Sequence, residues 1–435
     1  MSEDYIHPVL NHEEIAREQE HVRKHLRWNL GCGFVDAVGW PLAWSLVSSV
    51  TVLPYFISKL GGSNVLVGLI STVFAIGYSL PALFVSRLIE KRPVQVKAMF
   101  RIALVERVWL IPIIPATVAW GRSHPQWVLL TFFACIAAHA ATLGCNYPAY
   151  ATMIRKVIPA NWRGRLYGIG GAVGGLLGVG GARLARYLLV HYGYPDGYAW
   201  CFGVCLLILF LSVIPLGLMR EPAEIAIPPE RSFGPYLRSA VETLRRHKDF
   251  SLFVLWLVLS VFHYVALAFY TVYAKQRFSV DAGQVASFTA AMMGANTLGY
   301  LVWGLLGDRR GLRKVLVGGQ WCACVAVLMA LLAPSAEAFY LVYALASLGS
   351  TAFEIASMNI VLEFAPRGLS ALYAALSSTL VAPFRALLPL AGGLVADHLG
   401  FPPLFVVCGV CSTAGLVVLA RVRDPRRRVL ESVSA

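Results

Sequence analysis

Apolar runs of twenty or more residues recur from one end of the chain to the other, separated by short polar breaks. Twelve are long enough to cross a hydrocarbon core of about 30 Å as helices. They fall at roughly 29–57, 64–86, 95–119, 126–153, 166–190, 198–218, 249–274, 284–306, 314–334, 338–364, 370–395 and 401–421. The longest internal polar segment runs from Arg220 to Lys248, contains four prolines, and leaves six runs on each side. Equal halves joined by a polar linker suggest an internal duplication. A faint repeat agrees: Pro159-Ala-Asn-Trp-Arg-Gly-Arg-Leu-Tyr167 follows the fourth run, and Pro366-Arg-Gly-Leu-Ser-Ala-Leu-Tyr373 follows the tenth. The pattern predicts an all-α polytopic membrane protein, with twelve transmembrane helices in two six-helix bundles related by a pseudo-two-fold axis. Its segments are an N-terminal stretch 1–28, a bundle 29–218, a linker 219–248, a second bundle 249–421 and a basic tail 422–435.

Composition agrees. Of 435 residues, 58% are hydrophobic and 14% charged, against about 25% charged in soluble domains. So apolar a chain is not disordered. The net charge of +14 would suit a nucleic-acid binder, but its distribution does not. Of 37 Lys and Arg, 28 lie at the termini and in the even-numbered breaks, and four lie in the odd-numbered breaks. That asymmetry sets topology and predicts both termini in the cytoplasm of a plasma membrane. Nucleic acid is not an expected partner; the lipid bilayer and a small-molecule solute are, with the monomer as the working unit. At the N-terminus, Ile15, Val22 and Leu26 share one helical face among basic residues, as in an interfacial helix or a solvated charged tail. The nine cysteines sit in or beside apolar runs. Cys408-x-x-Cys411 has redox spacing but lacks a second pair, and reads as small packing residues.

Motifs of other chemistries are missing. The sequence has no G-x-x-x-x-G-K-[ST], no G-x-S-x-G and no H-E-x-x-H. We therefore expect neither an enzyme nor a cofactor, and a proton gradient rather than nucleotide hydrolysis as the energy source.

The break between runs 8 and 9 reads Gly304-Leu-Leu-Gly-Asp308-Arg309-Arg310-Gly311-Leu-Arg313-Lys314. It resembles the signature loop of the major facilitator superfamily, G-x-x-x-D-[RK]-x-G-x-[RK]-[RK]. The resemblance implies a secondary transporter working by alternating access, with Gly304, Asp308, Arg309, Gly311 and Arg313 forming a gating latch of the outward-facing state; the alternative on the same fold is a sensor, receptor or assembly factor without net transport. The matching first-half loop, Ser86-Arg87-Leu-Ile-Glu90-Lys91-Arg92-Pro93, lacks the aspartate and the second glycine. Run 6 ends Arg220-Glu221-Pro222, also common in the family. The fifth run carries eight glycines between Gly168 and Gly181, which suits close helix packing. A glycine-rich fifth span also marks the family's antiporters, but the proline of their motif is missing.

Ionisable residues inside spans cost at least about 2.5–3.5 kcal/mol to insert and are candidate functional groups. In the family, spans 1, 4, 7 and 10 line the cavity. On those spans Asp36, Trp40 and Trp44 recur at fours, His139, Thr142, Asn146 and Tyr150 at threes and fours, Trp256, His263 and Tyr270 at sevens, and Ser350, Glu354 and Ser357 at fours and threes. The candidate solute and coupling residues are therefore Glu354, Arg385, His263, His139, Asp36, Trp40, Asn146 and Tyr270, a set suited to a polar or amphipathic organic solute. Each histidine can equally bridge two helices, Glu106–Arg107 reads as a structural ion pair, Asp36 can pair with Arg101 or Arg107, and Arg385, flanked by Pro383 and Pro389, can be the counter-ion of Glu354.

Overall fold

The computed structural model describes residues 12–90, 94–222, 247–364 and 370–423, without the side chains of 12–19, 83, 86–90, 160–161, 308, 358, 362, 370–372 and 375. Every described element is a helix. In the first half these are α1 (His12–Leu46), α2 (Val52–Lys59), α3 (Asn64–Glu90), α4 (Val96–Val108), α5 (Ile113–Trp120), α6 (Pro125–Val157), α7 (Ala160–His191) and α8 (Asp196–Gly217). In the second they are α9 (Lys248–Phe278), α10 (Ala282–Arg310), α11 (Leu312–Leu332), α12 (Ala338–Phe364), α13 (Ser370–His398) and α14 (Phe401–Arg421).

Among the described residues eleven of the twelve expected spans are long and apolar enough to cross a membrane, the second to the twelfth, α4 and α5 together making one; the first run is not among them. The first crossing differs from the single helix expected over 29–57. It is split: α1 stops at Leu46, residues 47–51 leave the helix, and α2 resumes at Val52. Pro54 accounts for part of this, because it has no N–H to give to the carbonyl four residues back, that of Val50. Leu53 N instead turns back to Ser48 O at 3.0 Å. Pro112 similarly separates α4 from α5, where bonds tighten to three-residue spacing (Leu110 N to Arg107 O, 3.1 Å).

No break marks residue 28, since the charged stretch extends α1 directly into its apolar part. Trp28 Nε1 donates to Leu218 O at 2.9 Å, and Asn29 exchanges two hydrogen bonds with the Arg220 backbone. Glu221, beside it, accepts from the first amides of the third crossing, Gln95 N at 2.6 Å and Val96 N at 2.8 Å, and lies 3.4 Å from Lys156 Nζ. The Arg220-Glu221-Pro222 triplet thus caps a helix N-terminus, where a carboxylate is favoured.

Helices α1–α8 form one bundle and α9–α14 the other. Two long seams join them, α3 against α13 and α7 against α10. In crossings, the second of each half meets the fifth of the other, the reciprocity a pseudo-two-fold axis requires. Small residues make both seams possible. On α7, Gly170, Gly174 and Gly181 face α1, while Gly171, Gly175 and Gly178 face Tyr300, Thr297 and Met293 of α10. The expected packing role of the glycine run is what the structure displays. On the other seam Gly68 lies against the Pro389 carbonyl, and Gly393 against the backbone of Asn64 and Val65.

The bundles are tied together mainly at the end away from the termini. There the Val50 carbonyl released by Pro54 accepts from Thr271 Oγ1 at 3.1 Å, with Tyr343 Oη 3.4 Å away, and the two hydroxyls lie within hydrogen-bond reach of each other, one hydrogen apiece serving the three contacts. Thr51 meets Thr289 at 2.6 Å, and Lys275 Nζ donates to Ser58 Oγ at 2.8 Å. Both carboxylate oxygens of Asp397 accept from the start of α3, Asn64 N at 3.0 Å and Val65 N at 3.2 Å.

Candidate functional site

Two chambers lie between the bundles below this closed end. The smaller, of about 600 Å³, is walled by serines, Tyr264, Phe353, Glu354 and Arg385. The larger, of about 1470 Å³, reaches the first turns of α7 and the last turns of α10 and α12, and so opens toward the end bearing both termini. Glu354 lines both.

Glu354 stands on α12 ten residues before its end, and its Oε2 accepts from Tyr300 Oη of α10 at 2.7 Å. Arg385 projects into the smaller chamber from α13, between Pro383 and Pro389. It makes no ion pair with Glu354, so the expected counter-ion contact is not formed in this conformation. One carbonyl of this proline-flanked segment, that of Ala386, accepts from Thr72 Oγ1 across the seam at 2.5 Å.

In the first bundle Asp36, Trp40 and Asn146 line the larger chamber, as do Glu106, Arg107 and Tyr150. Arg107 donates from Nε to Leu209 O and from Nη1 to Ala103 O, both at 2.8 Å, and its Nη1 lies 3.5 Å from Glu106 Oε1. Asn146 Nδ2 donates to Glu106 Oε2 at 3.4 Å. The expected Glu106–Arg107 pair is present and braced from the fourth and sixth crossings. Asp36 pairs with neither Arg101, which is exposed, nor Arg107.

The histidines sit behind these walls. His139 is 0% exposed and donates from Nδ1 to the Glu106 carbonyl at 3.0 Å, beneath the Trp44 and Phe74 rings. His263, also 0% exposed, shares a 2.9 Å hydrogen bond with Ser350. Tyr270 is enclosed by Phe339, Tyr343 and Phe405, and Trp256 donates to Gln320 Oε1 at 2.9 Å. The Trp256–His263–Tyr270 line, expected to face the cavity, therefore packs inside its own bundle. Residues seven apart form a narrow stripe that fits the grooves of neighbouring helices, and here those neighbours are α11, α12 and α14.

Of the expected latch, Gly304 lines the larger chamber, Arg309 is exposed, and Gly311 turns between α10 and α11 with φ +87°. Arg313 donates to the last carbonyls of α14 (Ala420 O, 2.7 Å), where a cation complements the helix C-terminus. The Asp308 side chain and residues 91–93 of the first-half loop lie outside the described residues.

Sequence reasoning missed Tyr300, Tyr78, Tyr147 and Tyr264. Tyr300 belongs to the eighth crossing, outside the four spans taken as cavity walls, and tyrosine does not interrupt an apolar run. Asp397 was missed because its partners belong to the other half of the chain.

The sequence profile of the Major Facilitator Superfamily matches residues 32–295 and 264–434. An uncharacterized protein of Mycobacterium tuberculosis (strain ATCC 25618 / H37Rv) is 23% identical over 392 residues, covering 88% of this chain and 74% of the relative. Among solved structures, a variant of the nucleoside transporter NupG aligns with a TM-score of 0.67 at 12% identity, over 91% of this chain and 99% of that one. A bacterial homolog of the human lysosomal transporter Spinster, in an inward-facing and unoccupied conformation, aligns with a TM-score of 0.60 at 15% identity, over 92% and 95%.

Proposed function

This chain belongs to the major facilitator superfamily, and from that premise we propose that it is a secondary active transporter moving a small organic solute across the plasma membrane by alternating access. The observation that carries the reading is the asymmetry between the bundles. They are hydrogen-bonded at the end away from the termini and parted at the other by a largely apolar chamber carrying a few charged side chains. The seams supply the motion. Both run along smooth glycine faces related by the pseudo-two-fold, so the bundles can rock about the chambers and open the end now closed. With both termini on the cytoplasmic side, as the distribution of basic residues supports, the structure is an inward-open state.

The energy source in this reading is the proton gradient. Glu354 is the coupling group: a carboxylate shared by both chambers, held by one tyrosine hydroxyl, with its other oxygen free to take a proton or a solute donor. Arg385 offers the deprotonated acid a cation once the chambers contract. Glu354→Gln keeps the shape and some hydrogen bonding but cannot release a proton. In proteoliposomes it should abolish accumulation driven by a pH gradient while leaving solute counterflow measurable. Accumulation at the wild-type rate and pH dependence would remove Glu354 from this role.

A further inference from the structure

Resting on that transport reading, we propose that the larger chamber is built for an organic cation, a protonated amine carrying N–H donors joined to a flat apolar body. Three observations converge on it.

The first is an excess of hydrogen-bond acceptors. Asp36 makes no hydrogen bond or ion pair with any described residue and faces the chamber. Glu106 and Asn146 line it too and are almost wholly buried, at 1% and 7% exposure. Yet Asn146 Oδ1 accepts no hydrogen bond, and Glu106 Oε1 has only the 3.5 Å ion pair to Arg107 Nη1. Asn146 turns its amide nitrogen toward Glu106 Oε2 at 3.4 Å, which leaves its oxygen as the acceptor to be satisfied. Across the chamber, Glu354 takes a single bond, from Tyr300. Buried acceptors left unpaired are costly, and what would satisfy them is a ligand rich in N–H.

The second concerns the protein's own cations. Arg107 is committed to two backbone carbonyls and to Glu106. Arg165, at the mouth, lies 5.0 Å over the Trp162 ring. Arg385 lines the smaller chamber and not this one. Away from the mouth, where Arg165 stands exposed, an anionic solute would meet carboxylates on both walls and only Arg107, already committed.

The third is the aromatic wall. Trp40, Tyr78, Tyr147, Tyr150 and Tyr300 face the same space, with the Tyr78 and Tyr147 rings 5.0 Å apart. Ring faces attract a desolvated cation and stack against planar bodies. A chamber of about 1470 Å³ leaves room for a bulky one.

The test uses purified full-length protein and one indole body carrying three different ends: tryptamine as the ammonium, tryptophol as the alcohol and indole-3-propionate as the acid. Quinacrine serves as a larger aryl amine. Affinity is read by equilibrium dialysis and folding by thermal melting. Either amine should bind at least about tenfold more tightly than the alcohol or the acid, the scale of hydrogen bonds to a charged group. Asp36→Asn and Glu354→Gln should each weaken amine binding by about tenfold and leave tryptophol unchanged. Trp40→Leu should weaken amines and alcohol together. Three results overturn the inference: alcohol or acid binding as tightly as the amines, no amine bound at millimolar concentration, or unchanged amine affinity in a folded Asp36→Asn or Glu354→Gln protein. Flux in proteoliposomes is measured separately. Amine binding without any flux leaves the cation site standing and sinks the transport reading; flux of other solutes with no amine bound does the reverse.

Discussion

Replacing Thr271 with valine keeps the volume and removes one hydroxyl at the closed end. Thr271 is 0% exposed, and its Oγ1 is the closer donor to the Val50 carbonyl, at 3.1 Å against 3.4 Å for Tyr343. Pro54 prevents that carbonyl from finding its usual helical partner. In Thr271→Val the closed conformation therefore keeps a half-buried acceptor with only the longer Tyr343 contact, at a cost of about 0.5–1.5 kcal/mol, the net worth of one hydrogen bond. When this end opens, water can reach the carbonyl and the cost disappears. The whole penalty falls on one conformer, which shifts the equilibrium between the two by about 2–13-fold. Spin-label pairs across this end, read by pulsed dipolar spectroscopy in proteoliposomes, should show the long-distance population growing at the expense of the short one. Thr271→Ser restores the hydroxyl and should restore the wild-type distribution. If the valine variant folds and its distances match wild type, the Val50 carbonyl does not hold the bundles together, and the gate assigned to this end is wrong.

The remaining predictions concern the other contacts. Asp397→Asn removes a charge from the α3 N-terminus on an exposed site, worth about 0.3–1 kcal/mol, and should produce a smaller shift in the same distance distributions. Gly175→Leu places a Cβ 2.5 Å from Thr297 Oγ1 on the α7–α10 seam and should block turnover in proteoliposomes while the protein still inserts. Glu221→Gln weakens charge-assisted bonds to Gln95 and Val96, each worth about 1.5–3 kcal/mol, and should lower the melting temperature in detergent without altering solute affinity.

How much of this was legible in the sequence follows from range. Eleven of the twelve spans, the two halves and the packing glycines are properties of one segment at a time, and hydropathy and spacing report them directly. The break after Leu46 was legible in Pro54, but an average over an apolar window dilutes one proline. Asp36, Trp40, Asn146, Glu354 and Arg385 line the chambers because polar residues on a crossing have few other places to go. His139, His263 and Tyr270 went elsewhere, for a reason no single-helix pattern contains: each found a partner on a neighbouring helix, the Glu106 carbonyl, Ser350 and an aromatic cluster. Contacts between halves, such as Asp397 with α3 or Thr271 with Val50, join residues more than two hundred positions apart and leave no local signature.

The most direct test of the central claim is net solute movement. Purified protein in sealed proteoliposomes, given a mixed pool of metabolites and organic amines, would be assayed by mass spectrometry of the vesicle contents with and without a pH gradient. The account predicts that at least one solute crosses unchanged into protein-containing vesicles, not into empty ones, and that collapsing the gradient or substituting Glu354→Gln removes its accumulation. Correctly inserted protein that moves nothing, or that converts a solute into a new product without moving it, would contradict the account.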